Sequence, residues 1–202
     1  MNWVSKKPTQ VGLLAHALSG FRTPSCRSLA VGYLAMLQRA GANIPAKQDL
    51  DLADFVPAMP HLALVAITKP DKCIYRVMGQ RLRERLGFPK GSNYYDFVPL
   101  ERRPHAARAM HMVIDQPCAF RAEILHVYGN GKDLHVEATG FPLRSDEPGI
   151  DGFILFADEE IDTPDDLLRD NARLEQAYLM RRDLIDLGFG VDHTFEDIVR
   201  VP

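Results

Sequence analysis

An α+β fold built on an antiparallel sheet is predicted by three features of the sequence. Two β-rich runs, Phe120 to Tyr128 and Leu134 to Leu143, flank Gly129-Asn130-Gly131, a cluster able to take the positive φ angles of a tight hairpin turn. A second turn at Asp146, Pro148 and Gly149 leads into a third run, Gly152 to Phe156. That run is apolar on both faces, with Phe153 and Leu155 on one and Ile154 and Phe156 on the other. Each face therefore needs an apolar cover, and helices must supply it.

The other elements follow from local signals. Residues 1–24 lack convincing periodicity and read as a loose arm with one helical turn around Val11 to Leu18. From Ser25, a capping candidate, to Gly41, a stopping candidate, Leu29, Tyr33, Met36, Leu37 and Ala40 recur at helical spacing. A short helix around Asp51 to Val56 precedes a strand at 62–68, and Lys69-Pro70-Asp71 turns it into a second at 73–78. RLRERLG gives a short helix stopped at Gly87, and Phe88 to Pro99 is irregular. A helix from Leu100 to Gln116, closed by Pro117, places Ala106, Met110, Val113 and Ile114 on one face. The central strands are expected at 119–128, 133–143 and 151–158. Thr163-Pro164-Asp165-Asp166 starts a final helix running to about Leu187. The organisation expected is an arm (1–24), one domain with its N-terminal helix (25–162), and a C-terminal helix and tail (163–202).

Composition narrows the function classes. The 202 residues suit one core of ordinary size, and a net charge of -3 gives no global attraction toward nucleic acid or anionic membrane. No run approaches the ~20 apolar residues of a membrane span. Lys6 and Lys7 precede an apolar run, but Pro8 and His16 interrupt it, which argues against a signal peptide. Cys26, Cys73 and Cys118 have neither CxxC spacing nor an even count, which fits free thiols in a reducing compartment and predicts a cytoplasmic protein.

DLDLADFVPAMPHLALVAI followed by YRVMGQRLRERLGFPKGSNYYDFVP resembles the run of small stand-alone bacterial proteins of the PAS family. The shared features are a Pro-His lead-in to the first strand, an aromatic-Arg-x-x-Gly end to the second, and Gly87 and Gly91 flanking the connection. LHVEATGFPL resembles the family's penultimate strand, and the likeness covers about Ser25 to Asp158. Gln80 stands where a small hydroxyl residue is expected. The resemblance implies a five-stranded antiparallel sheet in the order 2-1-5-4-3, with helices on one face and further helices flanking it at both ends. It also implies a non-catalytic sensory module that holds a small molecule or a protein partner.

Tyr75, Met78, Met110, Val113, Phe120 and Ile124 are candidate linings of the concave space, although apolar residues at such spacings are ordinarily core. His111 lies about 100° from the centre of its helix's apolar stripe. It is therefore the candidate for the axial position that haem-binding PAS proteins fill from the equivalent helix. Flavin photosensors of this family resemble one another in an Asn-Cys-Arg-Phe-Leu-Gln segment, and Gly91 to Pro99 has no cysteine. No cofactor is predicted, and the protein is expected to be colourless. Arg76 is the candidate polar anchor, pairing with Glu123 or Glu137 or holding an acidic head group. Gly129 to Lys132 lacks the ending of a phosphate loop, and no HExxH, GxSxG or kinase motif occurs.

No kinase, cyclase or DNA-binding effector follows, so output is expected through an unidentified signalling partner or through a homodimer. The dimer is expected on the first helix, the outer sheet face, and a stripe of Leu167, Leu174, Tyr178 and Ile185. The rival reading is a small-molecule enzyme on a cone-shaped α+β scaffold with His111 or a cavity acid as base. A buried carboxylate-histidine pair in the cavity would put that rival first.

Overall fold

The protein is described from a computed structural model covering residues 17–41, 44–68, 71–161 and 172–191. Its centre is an antiparallel sheet of β1 (Leu62–Thr68), β2 (Lys72–Met78), β3 (Cys118–Tyr128), β4 (Asp133–Leu143), β5 (Gly152–Glu160) and β6 (Leu174–Asp186). The spatial order is β2-β1-β5-β4-β3-β6, so the first strand lies beside the fifth and the expected order 2-1-5-4-3 is present within it. Among the described residues three helices pack on this sheet: α1 (Pro24–Ala40), α2 (Gln80–Leu86) and α3 (Arg103–Asp115). Single 3-10 turns, such as Leu52–Phe55 and Tyr94–Phe97, fill the connections. Gly87 ends α2 in the left-handed conformation at φ 69°, which favours glycine.

The sixth strand corrects an expectation. Leu174, Tyr178 and Ile185 were to lie on a final helix, but all three are in β6, paired along β3 from Leu174↔Tyr128 to Asp186↔Cys118. Two register shifts in that pairing break the strand's period-2 alternation and leave its apolar residues at near-helical spacing. The capping segment at 163–166 and Leu167 lie outside the described residues, as do residues 11–16 of the turn expected around Val11 to Leu18. At the other end, Phe21 and Thr23, just before α1, are buried.

The sheet carries one core on each face. On the outer face Leu29, Tyr33, Met36 and Leu37 of α1 lie over Phe141, Phe153 and Leu155. Tyr33 stacks on Phe141 with ring centroids 4.6 Å apart and donates its hydroxyl hydrogen to Pro142 O at 2.8 Å. The apolar outer face expected to join two copies is therefore covered within the chain. On the inner face α2, α3 and the 88–98 passage enclose Val65, Tyr75, Phe120, Ile124, Ile154 and Phe156.

The start of α1 is fixed by carboxylates rather than by its own N-cap side chain. Glu123, Glu137 and Glu159 are directly opposite one another on β3, β4 and β5, a row of like charges that is unfavourable unless something answers it. Glu137, fully buried, accepts from Arg22 N at 2.9 Å, Thr23 N at 2.7 Å, Thr23 Oγ1 at 2.8 Å and Arg121 Nε at 2.8 Å. Glu159 accepts from Ser25 N at 2.6 Å. The positive end of the helix and Arg121 together neutralise the row.

Gly32 lets α1 sit close to the 52–55 turn. A Cβ there would lie 2.7 Å from Asp54 O and 2.5 Å from the Phe55 ring. Alanine is the better helix former by about 1 kcal/mol, but overpacking costs about 1–3 kcal/mol, so Gly32→Ala is expected to destabilise. Urea unfolding checks this, and a variant more stable than the wild type would contradict the close seating of α1.

Candidate functional site

Between the inner sheet face and the helices lies a partly enclosed cavity of about 30 Å³, room for one or two water molecules. Of the expected lining residues, Tyr75, Met110, Phe120 and Ile124 border it. Met78 packs against the same core, and Val113 is buried within it, but neither borders the cavity. Cys73 borders it from β2, and burial pushes its thiol pKa up, away from a reactive thiolate. Leu174, Ala177, Leu179 and Arg182 of β6 line another side.

His111 is placed elsewhere. It lines a separate open groove with Tyr95, Leu100 and Arg108, and neither of its buried ring nitrogens has a hydrogen-bond partner. Axial ligation from His111 into the sheet cavity thus has no geometric support, because the residue borders the groove and not the cavity. The histidine that does border the cavity is His126, and its Nδ1 is occupied by Arg85. The residues present do not fit a haem. Arg76 is also displaced from its expected role: it is half exposed on β2 and faces Glu147 Oε2 at 3.7 Å, not Glu123 or Glu137. Those two carboxylates lie on the outer face with Arg22 and Arg121.

One end of the cavity is ionic, and it is built from residues the sequence reading did not single out. Arg85 of α2 reaches under the sheet and is almost fully buried, as are Asp158 of β5 and His126 of β3. Its Nη2 donates to Asp158 Oδ1 and, at 3.1 Å, to Asp158 O, while its Nη1 lies 3.0 Å from His126 Nδ1. Arg85 Nε is 3.2 Å from Glu160 Oε1, without hydrogen-bond alignment. Burial opposes the Arg85 charge, and Asp158 with Glu160 more than offsets it, so the guanidinium stays ionised. Burial raises the Asp158 pKa, with Arg85 working against that rise. Burial first and the Arg85 charge second push the His126 pKa well below the ordinary histidine value.

A carboxylate and an imidazole therefore do share the cavity, with His126 Nε2 3.7 Å from Asp158 Oδ2. Arginine has only donors, so His126 Nδ1 must accept from it, and a neutral ring then carries its hydrogen on Nε2. Such a ring has no free lone pair with which to take a proton. That argues against His126 as a general base. Among the described residues no group of three or more His, Cys, Asp or Glu side chains is placed to hold a metal ion.

The neutral imidazole has a measurable signature. Below the unfolded histidine pKa of about 6.5 the unfolded chain binds a proton that folded His126 does not. Stability is then lost as pH falls, by up to about 1.4 kcal/mol per pH unit. The raised Asp158 value acts in the opposite sense, in a window that opens at the unfolded carboxyl pKa of about 3.9. Urea unfolding at about pH 5, 6 and 7 is expected to show a shallower slope for His126→Gln than for the wild type. Equal slopes would mean that His126 is not held neutral.

The strand order, with a helical passage between β2 and β3, defines a PAS fold to which β6 adds an edge strand. Solved structures align with the chain. A fungal LOV-domain photoreceptor is 19% identical with 64% of this chain and 88% of that chain covered, at a TM-score of 0.41. The PAS domain of a protein from Colwellia psychrerythraea is 14% identical, covering 54% and 95%, at a TM-score of 0.39. The LOV domain of the blue-light photoreceptor Aureochrome1, in its dark structure, is 14% identical, covering 63% and 93%, at a TM-score of 0.41. No family model matches the chain, and no curated protein matches it. No helix among the described residues is long and apolar enough to cross a membrane.

Proposed function

We propose that the protein is a non-catalytic sensory module in which the cavity between sheet and helices takes a small molecule and the outcome is passed to a protein partner or a second copy. The observation that carries this reading is the cavity itself: a mostly apolar space between sheet and helices, with a buried Arg85-Asp158-His126 cluster at one end. Because Arg85 belongs to α2 while Asp158 and His126 belong to the sheet, a molecule touching the cluster bears on how helix and sheet are held together. Mass spectrometry of a denatured extract of the purified protein, with its absorption spectrum, tests the reading. A bound small molecule without visible absorbance is the expected result. A protein that carries nothing and binds no apolar probe overturns it.

A second reading, a small-molecule enzyme, is favoured by the His126-Asp158 pair in the cavity. It ranks lower because Arg85 occupies one nitrogen of the ring and one oxygen of the carboxylate.

Pairing of two copies remains part of the proposal, and light scattering on the full chain at micromolar concentration decides it. A chain ending at Asp162 is not a clean comparison, because it would delete β6 and with it one wall of the cavity.

A further inference from the structure

We infer that the molecule the cavity selects is uncharged, apolar over most of its surface, and presents one hydrogen-bond acceptor to His126 Nε2–H. This rests on the cavity reading and names the class of ligand. The donor is set by geometry. Arg85 Nη1 lies 3.0 Å from His126 Nδ1 and can only donate, so the ring hydrogen sits on Nε2. Asp158 Oδ2 is 3.7 Å from Nε2, beyond hydrogen-bond reach. Both residues border the cavity. A donor without a close acceptor at the polar end of an apolar space is met either by a water or by an acceptor atom of a ligand that displaces it.

Charge selection follows from the same cluster. Arg85 is already matched by Asp158 and approached by Glu160, so an anion placed at His126 would face a buried carboxylate with no spare cation beside it. A cation would meet Asp158 but also the buried guanidinium. The other charged lining group, Arg182, lies over the Phe120 ring at 5.8 Å on the β6 side, and a carboxylate drawn to it would leave His126 unmet. Val65, Ile124, Ile154 and Phe156 supply apolar surface over much of the rest of the cavity. At about 30 Å³ the space has to widen for any ring-sized molecule, which limits it to small ones.

Four probes of nearly one shape separate these terms: acetophenone, α-methylstyrene, benzoate and benzamidinium. Each is titrated into the full-length protein and followed by two-dimensional amide and histidine nitrogen spectra. Acetophenone is expected to bind about tenfold tighter than α-methylstyrene, the worth of one hydrogen bond, and both charged probes to bind more weakly still. The acetophenone preference is expected to disappear in His126→Leu. The wild-type spectra carry the test alone if that variant does not fold, because the His126 signals report the tautomer directly. Equal binding of the two neutral probes, tighter binding of either ion, or a hydrogen on Nδ1 overturns the inference while leaving the cavity reading intact. If none of the four probes shifts the resonances of cavity residues, the cavity reading itself falls and takes the inference with it.

Discussion

Replacing Arg85 by methionine is expected to lower stability by about 3–5 kcal/mol at neutral pH, because it strands the buried Asp158 carboxylate and removes the donor at His126 Nδ1. The loss should be pH-dependent in a particular direction. With the guanidinium gone, the cluster carries uncompensated negative charge, and taking up one proton at Asp158 or His126 relieves it. The folded variant then binds more protons than its unfolded chain, so its stability falls as pH rises and returns on acidification. Urea midpoints across the range from mildly acid to mildly basic measure this. The double change Arg85→Met with Asp158→Leu should recover much of the loss at neutral pH, since it removes both charges and leaves apolar volume. An Arg85→Met protein within about 1 kcal/mol of the wild type at neutral pH would show that the ion pair is not closed.

Glu137→Ala is the second large effect, expected at about 3–4 kcal/mol, because it leaves several donors and Arg121 without their buried acceptor. Its signature is local as well as global. The amides of Arg22 and Thr23 should exchange with solvent much faster, and Ser25, held by Glu159, should be affected less. Unchanged exchange at Arg22 and Thr23 would mean that the helix start does not depend on this carboxylate.

The five strands of the PAS core were legible in the sequence to within a residue or two, because their ends are marked by turn chemistry at Lys69-Pro70-Asp71, Gly129-Asn130-Gly131 and Pro148-Gly149. The apolar stripe of α1 was legible for the same reason, one clear period and one wide face. β6 was not, because pairing with β3 overrides the helix-forming composition of Leu174 to Asp186, and bulges disguise the alternation. Arg85 was hidden among Arg81 and Arg83, three like residues in seven. Its only signal was spacing, since Leu82, Arg85 and Leu86 share the buried face of α2. His126 carried a plainer signal. It lies in phase with Phe120, Ala122 and Ile124 on the inward face of β3, where a polar residue marks a polar end to the cavity.

The anchoring of α1 also dictates an order of events during synthesis. Thr23 N and Glu137 are 114 residues apart, and Ser25 N and Glu159 are 134 apart. The helix therefore leaves the ribosome with Leu29, Tyr33 and Met36 uncovered and must wait on the order of 10 s, at 5–20 residues per second, for β4 and β5 to follow. Its own anchors do not exist until then. The β3-β4 hairpin, whose contacts are local, is the natural place for structure to begin. A helix made early is thus among the last to dock, and during that interval its bare apolar stripe is open to chaperones and to aggregation.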